Sequence, residues 1–164
     1  FLFSDTIENN ISFAVDEAED ALVERAAKLS DVHDDIMDFT AGYRTVLGER
    51  GVTVSGGQKQ RISIARALIK ESAVLILDDS VSAVDMKTEK IILKNLLENR
   101  RGRTTILIAH RISTVEHMDK IIFIDEGCVR AVGSHETLYE TCADYRRMVD
   151  LQRMEEEEGG EADV

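Results

Sequence analysis

The sequence predicts an α/β fold: a parallel sheet in the second part of the chain, preceded by a helical region. Two observations carry this prediction. Short apolar runs, AVLIL (73–77), ILIA (106–109) and IIFI (121–124), alternate with stretches of helical period, as buried parallel strands alternate with helices. The first six dozen residues, by contrast, offer few candidate strands. No Pro occurs in the 164 residues, so glycine alone punctuates the helices. The second part supplies fewer strands than a parallel sheet normally has, so the core reads as incomplete.

Residues 1–13, FLFSDTIENNISF, read as extended or irregular. A helix is expected from Asp16, with Asp16 as cap, Glu19 three residues on, and Ala18, Leu22, Ala26 and Leu29 at helical spacing. A second short helix is expected after Ser30, through Val32, Ile36 and Met37. Residues 42–51 read as a Gly-broken loop. Ser55 opens the strongest helix, because S-G-G-Q is a capping-box pattern in which Ser55 caps and Gln58 reaches back. Ile62, Ala65, Leu68 and Ile69 form its apolar stripe, and Lys70 lies at its end, where the macrodipole favours a cation. Strands follow at VLIL, TTILIA and KIIFID, with a further one at 129–132. Helices are expected near 86–99 and 113–118, and from Ser134 to about Met154. The expected organisation is a helical region over 1–70, a strand-bearing core over 71–150 and an acidic disordered tail over 151–164.

Composition excludes several classes. At 43% hydrophobic and 32% charged, the chain has an ordinary globular make-up. The net charge is −12, and six of the acids fall in the last ten residues, which hold no Lys or Arg. No basic patch marks a nucleic-acid surface, so no nucleic-acid partner is expected. Cys128 and Cys142 fit no zinc or redox spacing and are expected as reduced thiols. The longest apolar runs fall far short of the ~20 residues that span a bilayer, and no signal peptide is visible. The opening on Phe1 within a motif suggests an excised segment.

Four motifs carry chemistry. In VSGGQKQR (54–61), two glycines at a helix start bare backbone N–H groups toward an anion, with the Ser55 hydroxyl and Gln58 amide as further donors. In VLILDD (74–79), Asp78 stands at the carboxyl end of a buried strand, where open α/β sheets bind ligands. SAVD (82–85) ends on Asp85, which also suits a helix cap. His110 follows the strand TTILIA. Each motif alone has a structural explanation; their order and spacing set them apart.

In that order the motifs resemble the second half of an ABC transporter's ATP-binding cassette, over residues 1 to about 150. The resemblance implies a P-loop NTPase (RecA-like) ABC ATPase core, incomplete, with a helical subdomain. It implies ATP and Mg²⁺ as ligands. Ser55, Gly56, Gly57 and Gln58 would face the γ-phosphate of an ATP held by a second cassette, and Asp85 would reach across the same interface. Asp78 would hold Mg²⁺ through water, Asp79 would act on the attacking water, and His110 would contact the γ-phosphate as the switch histidine. Two departures stand out. No G-x-x-x-x-G-K-[ST] occurs, nor any Gly-Lys pair, so these residues alone are expected not to hydrolyse ATP. Asp79 stands where the family usually has Glu; a carboxylate drawn back by about 1 Å can lower a rate ~10²-fold. That fits the weak-site half of a heterodimeric exporter, or else a working Asp. TVLGERG (45–51) resembles the loop whose acidic residue, here Glu49, meets the membrane domain, and it favours a membrane exporter, with this part on the cytoplasmic face of the plasma membrane. A soluble ABC ATPase acting on DNA or ribosomes and a non-catalytic regulatory cassette are the alternatives.

Overall fold

The computed structural model describes residues 2–48 and 52–161. The chain divides into two compact units, Phe1–Ile108 and Ala109–Val164. The boundary drawn from sequence at 70/71 marks a change of secondary structure and lies inside the first unit. There, helices before it pack on strand and helix beyond it.

In the first unit, helices α1 (Ile7–Ser12), α2 (Asp20–Leu29), α3 (His33–Met37) and α4 (Gly56–Ile69) surround one apolar cluster. Residues 1–13 are therefore not wholly extended. Thr6 caps α1 by accepting from the Asn9 N–H at 3.1 Å, and Ile7 and Ile11, one turn apart, are fully buried. Six residues are too few to show a helical period. Asn10, also fully buried, fastens α1 to α4: its Oδ1 accepts from the Arg66 guanidinium at 2.7 Å and its carbonyl from Arg66 Nε at 2.6 Å.

The second helix starts later than expected, at Asp20 with Glu19 as its uncapped lead. Glu17 has φ +51°, a left-handed backbone that ends any helix begun at Asp16. The buried stripe is Val23, Ala26 and Ala27, and Leu22 is exposed. Residues 42–47 are more ordered than a loop: Gly42–Arg44 is a 3₁₀ turn, and Thr6 bridges Val46 in antiparallel fashion.

Helix α4 is buried on two sides. Ile62, Ala65 and Ile69 face the helical cluster, whereas Ile64 and Leu68 join a second cluster with strand β1 (Val74–Asp78) and helix α5 (Met86–Asn99). Strand β1 pairs in parallel with β2 (Thr104–Ile108), matching Ile76 to Ile106 and Asp78 to Ile108. One face of this pair, bearing Leu75 and Leu77, is buried. The other, bearing Val74, Ile76, Ile106 and Ile108, is exposed. Buried Arg100 ties the end of α5 to the starts of both strands, donating to Thr105 Oγ1 and to the carbonyls of Ser72 and Thr104.

In the second unit, the run IIFI is not part of a parallel pair. Strand β3 (Ile121–Asp125) pairs antiparallel with β4 (Cys128–Gly133). The reason is local: Glu126 and Gly127 both have positive φ, 49° and 73°, which makes the two-residue turn that matches strand twist. Helices α6 (Ile112–Val115), α7 (His135–Thr141) and α8 (Ala143–Glu161) complete the unit. Ile112, Ile121, Leu138, Tyr145 and Val149 form its core. Helix α8 runs through Glu161, so most of the expected tail is helical, continuing from the buried Tyr145 and Val149. No helix among the described residues is long and apolar enough to cross a membrane.

Candidate functional site

The site's first part is the start of α4. Ser55 lies outside the helix, with φ −63° and ψ 164°, and its Oγ accepts from the Gln58 N–H while Gln58 Oε1 accepts from the Ser55 N–H at 3.0 Å. This reciprocal pair is the capping box expected from the sequence. It leaves the backbone N–H groups of Gly56 and Gly57 without acceptors among the described residues, as an anion site requires.

Gln58 does more than sequence reasoning assigned. Its Nε2 donates to Asp35 Oδ1 at 2.9 Å, so its amide is turned toward α3 and not held open as a donor. Arg61 meets the same carboxylate at 2.7 and 3.2 Å and also donates to the Asp31 carbonyl. Burial would raise the Asp35 pKa, but the bonds from Arg61 and Gln58 outweigh it and hold the carboxyl below its ordinary value. Asp35 thus fastens the head of α4, a role no motif spacing announced.

The second part is the turn after β1. Asp78 ends the strand and Asp79 follows it, both exposed. Asp78 falls on the same strand face as Val74 and Ile76. Asp79 has φ +47°, and its N–H donates to the Ile108 carbonyl at 3.0 Å, extending the pairing with β2. Asp85 caps α5, its Oδ1 accepting from the N–H groups of Lys87 and Thr88 at 3.1 and 3.0 Å. The Thr88 N–H bond comes first among the causes that lower its pKa.

The two parts adjoin. A Cβ on Gly57 would stand 3.0 Å from the Ala83 carbonyl oxygen, and one on Gly56 would stand 3.7 Å from the Ala83 Cβ. Close backbone approach is therefore a second reason for glycine at 57. Gln60 spans the junction: Oε1 accepts from the Ala83 N–H at 2.9 Å, and Nε2 donates to Ser82 Oγ at 3.0 Å and to the Asp79 carbonyl at 3.4 Å.

His110 belongs to the second unit. Its ring is exposed, and the backbone around it is held by Gln152 of α8, which donates to the His110 carbonyl and accepts from the Ile112 N–H, both at 2.8 Å. Glu49 lies outside the described residues. Among the described residues no three His, Cys, Asp or Glu side chains gather to hold a metal. The donor set nonetheless suits Mg²⁺ at Asp78, since that ion commonly takes one or two carboxylates and completes its shell with water and phosphate oxygen.

A glycine-opened helix beside a strand-end carboxylate pair suits an α/β domain that binds a phosphate-bearing ligand. Residues 2–82 match the ABC transporter family. The chain is 51% identical over 96% of its length to the multidrug resistance-like ATP-binding protein MdlA of Buchnera aphidicola (subsp. Schizaphis graminum), covering 27% of that protein. It is 48% identical over 94% of its length to the Escherichia coli K12 protein of that name, covering 26%. It is 46% identical over 97% of its length to the probable multidrug resistance ABC transporter ATP-binding/permease protein YheI of Bacillus subtilis 168, again covering 27%. Among solved structures, it aligns with a bacterial Atm1-family ABC exporter with ATP bound at TM-score 0.88 and 42% identity, over 93% of this chain and 27% of that one. The chain belongs to the ABC transporter family and spans about a quarter of the length of these relatives.

Proposed function

We propose that the chain is the signature-bearing part of an ABC exporter's ATP-binding domain, which binds and hydrolyses ATP to drive transport across a membrane. The observation that carries the reading is the head of α4. The N–H groups of Gly56 and Gly57, without acceptors among the described residues, lie with the Ser55 hydroxyl at the positive end of a 14-residue helix, where an anion is favoured. By the resemblance of VSGGQ to the family's signature, the ATP that this head meets is held by a second cassette. Gly56, Gly57 and Ser55 would donate to its γ-phosphate, and Gln58 would keep Ser55 oriented. Asp85 would face the same interface from the head of α5.

In the chain's own site, Asp78 would hold Mg²⁺, which supplies neutralisation of phosphate charge when bound. Asp79 would orient the attacking water, and His110 would contact the γ-phosphate. We assign Asp79 to a weak site because its shorter side chain withdraws the carboxylate from that water. The partner cassette then owns the strong site, and the pair is a heterodimer on the cytoplasmic face of the membrane, coupled to its membrane domain through the Glu49 loop.

Two substitutions in the assembled transporter test this. Gly57→Asp places a carboxylate against the γ-phosphate and is expected to abolish turnover; unchanged turnover would rule out a role for the α4 head in ATP binding. Asp79→Glu is expected to raise turnover at the chain's own site, read with the partner's strong site inactivated, by about tenfold or more, up to the ~10²-fold associated with a 1 Å displacement. No change would mean that Asp79 already works at full rate.

A further inference from the structure

Gln60 belongs to the VSGGQKQR motif, yet the proposed chemistry gives it no task. Its position is unlike that of its neighbours. Gln58 turns toward α3 and Lys59 is exposed, whereas Gln60 reaches the turn between β1 and α5. Three bonds meet on its carboxamide: from the Ala83 N–H at 2.9 Å, and to Ser82 Oγ at 3.0 Å and the Asp79 carbonyl at 3.4 Å. The orientation of the amide follows from its partners, because the Ala83 N–H can meet only the oxygen. Ser82 Oγ also donates to the Asp79 carbonyl at 3.0 Å, so that carbonyl is gripped from two sides. The gripped residue has positive φ, at 47°, a conformation uncommon outside glycine that Asp tolerates better than most residues.

The same junction carries the close approach of Gly57 to the Ala83 carbonyl. The head of α4 and the segment 79–83 are thus joined by backbone contact on one side and by a two-sided amide on the other. We propose that Gln60 is a positioning residue that fixes the Asp79 backbone, from which the carboxylate projects, to the head of α4. The group acting in this chain's own ATP site and the group it offers to the partner's site then move as one body. The proposal rests on the assignment of Ser55–Gly57 to the partner's ATP and of Asp79 to the chain's own site. It adds a physical link through which the state of one site is felt at the other.

The experiment uses the assembled transporter and measures steady-state ATP hydrolysis as kcat and KM per folded molecule, with folding followed by circular dichroism. Gln60→Leu keeps the bulk and removes all three bonds. It is expected to lower the kcat of the Asp79 site, read with the partner's strong site inactivated, by about tenfold to 10²-fold, the scale of a small misplacement remote from the reacting atoms. KM for ATP should stay within about twofold, since the Gln60 carboxamide is engaged by Asp79, Ser82 and Ala83. Gln60→Glu keeps an acceptor for the Ala83 N–H and loses the donor to the Asp79 carbonyl, so it should recover part of the lost kcat. A lower melting temperature with unchanged kcat per folded molecule would make Gln60 merely structural and overturn the proposal. If Gln60→Leu fails to fold, Gln60→Glu decides: kcat equal to that of the unaltered protein overturns the link, and a several-fold loss supports it. Gly57→Asp, made in parallel, separates the two levels. Loss of turnover in Gly57→Asp but not in Gln60→Leu removes only the link, whereas full turnover in both removes the reading of the α4 head on which it rests.

Discussion

At Asp79 the side chain and the backbone have different requirements. The left-handed backbone favours Asp over longer side chains, while reach toward a water molecule favours Glu. The penalty for Glu is small here, because the chain already holds Glu71 and Glu126 at φ 49°. Asp79→Glu should therefore leave the fold intact while extending the carboxylate, so a change in its turnover reports on reach. The signature glycines differ from each other in a similar way. Alanine at 56 meets only an ordinary 3.7 Å contact, but at 57 it meets the Ala83 carbonyl oxygen at 3.0 Å. Gly56→Ala should gain stability, by up to about 1 kcal/mol from helix propensity. Gly57→Ala should forfeit most of that gain, as Ala83 must shift. Chemical denaturation of the two variants checks this, and equal midpoints would show that the Ala83 backbone yields freely.

Among the elements, those written in local code were legible. The Ser55–Gln58 box and the Asp85 cap need only residues three apart, and both are formed. The short apolar runs became strands for the same reason. What escaped was set by partners distant in sequence. Helix α1 depends on Asn10 and Arg66, 56 residues apart. The pairing of β3 with β4 depends on one turn's backbone, which an apolar run cannot reveal. The α3–α4 fastening joins Asp35 to Gln58 and Arg61 across 23 and 26 residues. Its consequence is measurable. Asp35→Ala should destabilise the first unit by about 2 kcal/mol, the scale of hydrogen bonds to a charged group. It leaves Arg61, whose side chain is 13% exposed, without that carboxylate. The pH dependence follows from the lowered pKa. The carboxylate's contribution is fully present above the unfolded value of about 3.9 and is lost as pH falls through the lower folded value. Asp35→Asn should flatten the stability–pH curve below about pH 4, and a curve that keeps its acid slope would remove Asp35 from the account.

For the molecule as a whole, the exposed face of the β1–β2 pair matters most. Parallel sheets are normally covered on both faces, yet Ile76 is 61% and Ile106 45% exposed, side by side in register. The 164 residues alone should therefore self-associate. Ile76→Lys with Ile106→Lys should suppress this without loss of helix content, as read by light scattering and circular dichroism. A unaltered chain that stays monomeric at high concentration would contradict it. The Gln152 carboxamide bears on a different matter, how much of the C-terminus can be dispensed with. Its two bonds to the backbone around His110 make residue 152, among the described residues, the last one bonded to the segment 110–112. Chains ending at 155 should keep the slow amide exchange of Ile112, whereas chains ending at 151 should exchange it on the order of tenfold faster, since one hydrogen bond is worth about 1 kcal/mol. A purification tag or a fused domain therefore belongs after residue 155.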